Sequence, residues 1–188
     1  QKAFELDPTD AYPLGNYLEG EILKDRDVSV TGFTRPLIKE AIQRSLSCIA
    51  VGVNIPWAYY DIGKLELLLK NPYSSFSSYA KAIELSTALF MVETSMGSLL
   101  RLKAVQDQLP GLHWIEDLFW LGLAIKFQKE NAKKELVKRS HSRIDYRNQP
   151  CTILAGGSSG DGLQEMEGHA HLLAEAFRNY QGIIISGG

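Results

Sequence analysis

Ala41 and Ser75 lie 34 residues apart, as do Cys48 and Ala82, and Gly63 and Gly97. Self-similarity at one fixed spacing marks a chain built from stacked units, none of which can bury its apolar face alone. The segment YYDIGKLELLLKNPYSSFSSYAKAIELS shows one such unit without a gap. Apolar residues recur at helical spacing on both sides of Asn71-Pro72, which supplies the turn. Gly63, facing a small residue, is expected to let two antiparallel helices approach closely. Ile62, Leu65, Leu69, Phe76, Tyr79 and Ile83 are expected to fill the space between them.

This spacing and pattern resemble the tetratricopeptide repeat, with Tyr59, Ile62 and Gly63 on the first helix and Ser75, Tyr79 and Ala82 on the second. Two positions depart from it. Glu66 stands where an aromatic is usual, and Thr87 stands where proline is usual, which leaves the second helix free to run on. Upstream, KAFELDP resembles the close of one repeat, and YPLGNYL followed by LIKEAIQRSLSCIA resembles another, with an insertion near residues 25–35. Downstream, MVETSMGSLLRLKAVQDQL and HWIEDLFWLGLAIKF form a degenerate third pair broken at Pro110-Gly111. The expected fold of residues 1–127 is therefore an all-α array of helical hairpins, and the resemblance implies a surface for a protein partner.

Composition sets the outer bounds. At 188 residues, 45% hydrophobic and 22% charged, the chain suits one ordinary domain or two small ones of globular type. A net charge of -2 gives no general attraction for nucleic acid or an anionic membrane. No apolar run approaches the roughly 18 residues that would span a bilayer. Cys48 and Cys151 have no CxxC or Cys/His spacing around them, so two reduced thiols in a cytoplasmic protein are expected and no metal site is assigned. The opening QKAFELDPTD reads as a helix end with a proline stop, so the native amino terminus is expected to lie upstream of Gln1.

Residues 126–147 carry eight basic and three acidic side chains, with helix-supporting pairs Glu130/Lys134 and Glu135/Arg139. A nucleic-acid face and a solvated helix joining two domains both fit such a run. Its two aromatics, Phe127 and Tyr146, stand at the ends of the run rather than interleaving with the charges as a single-strand platform would need, which favours a basic helical linker over residues 128–149.

After Pro150 the periodicity changes. A short apolar run at 152–155 precedes GGSSGDG; Met166, Ala170, Leu173, Phe177 and Tyr180 then recur at helical spacing, and Gly182 precedes a second apolar run at 183–185. Strand, helix and strand in about 35 residues is the length of one βαβ crossover, and continuous apolar strands imply a parallel sheet covered on both faces. Leu163 stands where a phosphate-binding P-loop needs lysine, and the dinucleotide pattern GxGxxG is absent. Gly156 to Gly160 satisfies GxSxG, which would make Ser158 a nucleophile, but that fold needs an earlier strand for its oxyanion hole and everything before Pro150 reads as helix. His169 and His171, at i,i+2 on a helix, point to different sides and do not chelate, and His113 and His141 are isolated. Two readings remain for the loop: a plain glycine turn, or a cradle whose backbone amides and serine hydroxyls hold an anion, above all phosphate.

The stretch ILAGGSSGDG, a helix ending LAEAFRNYQG, and then IIISGG resemble the start of the SLOG superfamily, over about the last 38 residues. That superfamily includes LOG-type phosphoribohydrolases, DprA-like proteins and the sensing region of TRPM channels. The resemblance implies a Rossmann-like sheet, entered here through residues 150–188. It also implies a nucleotide-derived ligand lined by Gly156, Gly157, Ser158, Ser159 and Gly160 after the first strand, and by Ser186, Gly187 and Gly188 after the second. LOG enzymes carry a later PGGxGT-type motif with a glutamate that serves hydrolysis; it does not occur within these residues, so no catalytic residue is assigned. Bacterial proteins resembling this one join helical repeats to a nucleotide-sensing SLOG domain. The expected function is a sensor binding a phosphorylated nucleotide derivative, with no further cofactor. A nucleotide N-glycosidic hydrolase and a non-catalytic interaction scaffold stay open beside it.

Overall fold

In a computed structural model, the chain is described over residues 2–143 and over the strand segments Ile153–Gly156 and Ile184–Gly187. It forms two units, Gln1–Arg139 and Ser140–Gly188.

The described part of the first unit is all-helical. Its α-helices are α1 (Lys2–Leu6), α2 (Ala11–Asp25), α3 (Val30–Phe33), α4 (Arg35–Ala50), α5 (Trp57–Leu68), α6 (Pro72–Leu85), α7 (Leu89–Arg101), α8 (Leu112–Ile125) and α9 (Glu130–Arg143), with a 3-10 helix at Leu102–Gln108. They pack in adjacent pairs, α2 with α4, α5 with α6 and α7 with α8, the arrangement of helical repeats. The one-turn α3 is the expected insertion within the first pair. Gly111, at φ 81, makes the expected break before α8, a conformation that L side chains rarely adopt.

The central pair follows the sequence closely. α5 is buried nearly all round, Lys64 included, because it is covered by α2, α4, α6 and α7 at once. The helix ends at Leu68, Lys70 follows with φ 63, and Asn71-Pro72 opens α6. Glu66 explains its own departure from the repeat pattern: its carboxylate accepts a 2.7 Å hydrogen bond from Asn71 Nδ2 and braces the turn. Contacts run antiparallel, with Ser75 Oγ donating to Gly63 O at 2.6 Å and Tyr60 meeting Ser86.

Three details differ from expectation. A Cβ at Gly63 would come within 2.9 Å of the Tyr79 ring, so Gly63 accommodates a large aromatic as well as the small Ser75. Phe76 does not fill the space between α5 and α6; it is exposed, on the side of α6 turned toward α8. α6 does not run on through Thr87 but stops at Leu85, since the buried Ser86 turns to extended backbone. Its Oγ donates to Ala82 O at 2.8 Å, and so accepts from the Tyr60 hydroxyl at 2.8 Å.

The array also closes on itself. In a regular solenoid each repeat touches only its neighbours. Here Gln108, beyond α7, accepts from Val28 N at 3.1 Å and donates to Arg26 O at 2.9 Å, joining the first pair to the third. At the other end α9 docks on α8: buried Glu116 receives Lys103 at 3.1 Å and Arg139, which also reaches Asp117 at 2.8 Å and Glu135 at 3.2 Å.

In the second unit, strands β1 (Ile153–Gly156) and β2 (Ile184–Gly187) pair in parallel, with Ile153 opposite Ile184 and Gly156 opposite Gly187. Among the described residues no helix is long and apolar enough to cross a membrane.

Candidate functional site

Of the positions singled out in the glycine-rich segment, Gly156 closes β1 and Ser186 and Gly187 close β2. The register brings Gly156 directly opposite Gly187 and Ala155 opposite Ser186, at the carboxyl ends of both strands. Gly157, Ser158, Ser159, Gly160 and Gly188 lie outside the described residues, as do Cys151, His169 and His171. Cys48 is a free, half-buried thiol and His113 is exposed.

A second site, absent from the sequence reading, lies in the first unit. One helix from each pair, α2, α5 and α7, together with Tyr79 of α6, lines a cavity of about 160 Å³ whose other walls include Tyr12, Trp57, Asp61, Lys64 and Arg101. Helical periodicity places these residues on one side of each helix: Asp61 and Lys64 at i,i+3, Ser98 and Arg101 likewise.

Behind the cavity sits Glu19, almost fully buried. Its Oε2 accepts from Lys64 and, at 2.6 Å, from Ser98 Oγ; its Oε1 accepts from Arg101. Lys64 also donates to Asn16 Oδ1 at 3.1 Å. Burial alone would push the Glu19 carboxyl up, but the charge of Lys64 and the hydrogen bonds from Lys64, Ser98 and Arg101 outweigh it and hold it below the usual range. Burial lowers Lys64 in turn, against the opposing pull of Glu19. Such a network is stable only because every member is partnered.

Asp61 is the exception. It makes no hydrogen bond or ion pair among the described residues, and burial pushes its carboxyl up to about 7 despite the nearby charge of Lys64. The Tyr79 hydroxyl is likewise without a hydrogen bond there, and burial followed by the charge of Asp61 raises it. The Tyr60 hydroxyl, pushed up by burial to about 12, is satisfied by Ser86. The cavity thus presents one acceptor and one donor without internal partners, between aromatic faces.

Comparison with known proteins finds no matching family model, no matching curated protein and no matching solved structure. Among the described residues no cluster of His, Cys, Asp and Glu is placed to hold a metal ion.

Proposed function

We propose that this chain belongs to a cytoplasmic regulatory protein in which a tetratricopeptide-like array binds a protein partner and a SLOG-like, Rossmann-like unit binds a phosphorylated nucleotide derivative. The observation that carries the nucleotide reading is the pairing of Gly156 with Gly187. Ligands of open α/β sheets sit beyond the carboxyl ends of parallel strands, and a glycine at each of two adjacent strand ends leaves room for a phosphate to approach the backbone. The serines and glycines at 157–160 supply the remaining donors of the cradle. The groove between α2, α5 and α7, with polar groups left over for an outside molecule, supports the partner reading.

The test is a thermal-shift panel of AMP, ADP and ADP-ribose on the protein at its native length. At a hundred times Kd a ligand adds about 2.7 kcal/mol, a shift of several degrees for a protein of this size. Gly187→Asp and Gly157→Asp each abolish the shift, because a carboxylate then occupies the phosphate position. Ser158→Ala weakens binding by one hydrogen bond, about 1 kcal/mol. Binding by Gly187→Asp at wild-type strength, or no response to any nucleotide, defeats the sensor reading and leaves an interaction scaffold.

A further inference from the structure

Four ionisable groups meet at the cavity between α2, α5 and α7, and three of them are committed to one another. Both oxygens of Glu19 are taken by Lys64, Ser98 and Arg101. The surplus positive charge of that cluster lies at Arg101, whose side chain is 57% exposed and therefore screened by water. Asp61 is half-buried between two open cavities, one of which it shares with Tyr12 from α2, Trp57 and Tyr60 from α5, and Tyr79 from α6. A carboxylate partly withdrawn from water and without an internal partner favours a proton or a cation, and aromatic faces attract a cation within about 6 Å of the ring centre.

The geometry points to a cation subsite: one alkylammonium or guanidinium group, held by Asp61 in a space lined by the aromatic side chains of Tyr12, Trp57 and Tyr79. A cavity of about 160 Å³ has the volume of about five water molecules, enough for a four-carbon amine such as the end of a lysine side chain. Asp61 repels an anion, and a neutral apolar guest leaves the carboxylate unpaired. The subsite deepens the partner-surface reading and rests on it only for the source of the cation, a basic side chain of a partner peptide; a free small amine is the other source.

The charged and titratable groups facing Asp61 are Lys64 and Tyr60 on its own helix, Asp10 ahead of α2 and Tyr12 on it, Tyr79 on α6, Arg101 on α7, and Arg44 and Cys48 on α4. Arg44 is engaged by Asp7 and Thr9, as Lys64 and Arg101 are by Glu19. Without a cation Asp61 keeps its proton up to about pH 7, so a bound cation must displace it. Affinity therefore rises with pH to a plateau above neutrality and falls about tenfold per unit below it.

The experiment titrates n-butylammonium into the ¹⁵N-labelled protein at pH 8 and follows the Trp57 indole N–H; Trp114 and Trp120 line other cavities and act as internal references. A saturable shift at Trp57 is expected, weakened at least tenfold by Asp61→Asn, several-fold by Tyr12→Ala, and lost at pH 5, while n-butanol and butyrate leave the signal in place. Tyr12 is 65% exposed, so its variant keeps the test decisive even if Asp61→Asn folds poorly. A lysine-containing tripeptide that binds more tightly than n-butylammonium assigns the cation to a peptide, and equal affinity assigns it to a free amine. No saturable shift at pH 8, or an equal response to butanol, overturns the subsite. A partner peptide that occupies the groove while n-butylammonium neither binds nor competes overturns it too, and leaves the partner surface standing.

Discussion

Asp61 and Glu19 are carboxylates of the same groove with opposite titrations, and partners make the difference. Asp61 titrates near 7 in the folded chain and near 3.9 when unfolded, so between those values the folded state holds the extra proton. Stability then falls as pH rises from about 4 to about 7 and stays reduced above. Asp61→Asn is expected to raise stability by roughly 1–3 kcal/mol at pH 8, with the gain shrinking toward pH 4, read from urea midpoints at both pH values. Glu19 has the reverse sign: its contribution is full above its unfolded pKa and lost as pH falls through its depressed folded value. Glu19→Gln strands the Lys64 charge in the interior and is expected to cost about 3–5 kcal/mol. The pair Glu19→Leu with Lys64→Met should cost clearly less than the sum of the single changes; additive losses in that double-mutant cycle would remove the network from the account.

Between elements, the repeat spacing was legible but its consequences were not uniform. Gly63 and Gly97 are 34 apart and look equivalent in the sequence. A Cβ at Gly63 meets the Tyr79 ring at 2.9 Å, whereas one at Gly97 has nothing within 4 Å. Gly63→Ala is expected to destabilise by about 1–3 kcal/mol through overpacking, and Gly97→Ala, inside α7, to stabilise by roughly 0.5–1 kcal/mol by restricting the unfolded chain. Melting curves of the two variants check both signs. The helices, their turns and the one-turn insertion follow from periodicity and Asn-Pro or Pro-Gly breaks, which are local signals. The stop at Ser86 was not legible, because it depends on a tyrosine of the preceding helix. The groove was hidden for the same reason: Glu19 and Arg101 are 82 positions apart, and nothing local announces that they touch. In the glycine-rich segment the apolar runs end at Ala155 and Ile185, whereas the paired strands continue through Gly156 and Gly187, because backbone pairing rather than apolar side chains sets their ends.

For the whole molecule, the described core lies within residues 11–132, inside the first unit. A chain of residues 1–139 is therefore expected to fold alone, with a cooperative helical melt whose midpoint stays within a few degrees of the longer chain. Loss of cooperativity on truncation would show that the first unit leans on residues 140–188. Reversing Lys133, Lys134 and Lys138 to glutamate is expected to leave both that melt and nucleotide binding unchanged. Salt-dependent binding of DNA by the wild type, lost in the triple variant, would assign α9 to nucleic acid instead.

The clasp formed by Gln108 on Arg26 and Val28, together with Arg101 and Ser98 on Glu19, changes the mechanics of the array. An open row of hairpins behaves as a spring, widening or narrowing its groove at small cost and unravelling one hairpin at a time under load. With its first and third turns latched together, this one behaves as a ring: pulled from its ends it should resist until the latch fails and then give way in a single step. A groove latched in this way is expected to keep one width, so that guests are selected by fit rather than by reshaping of the host.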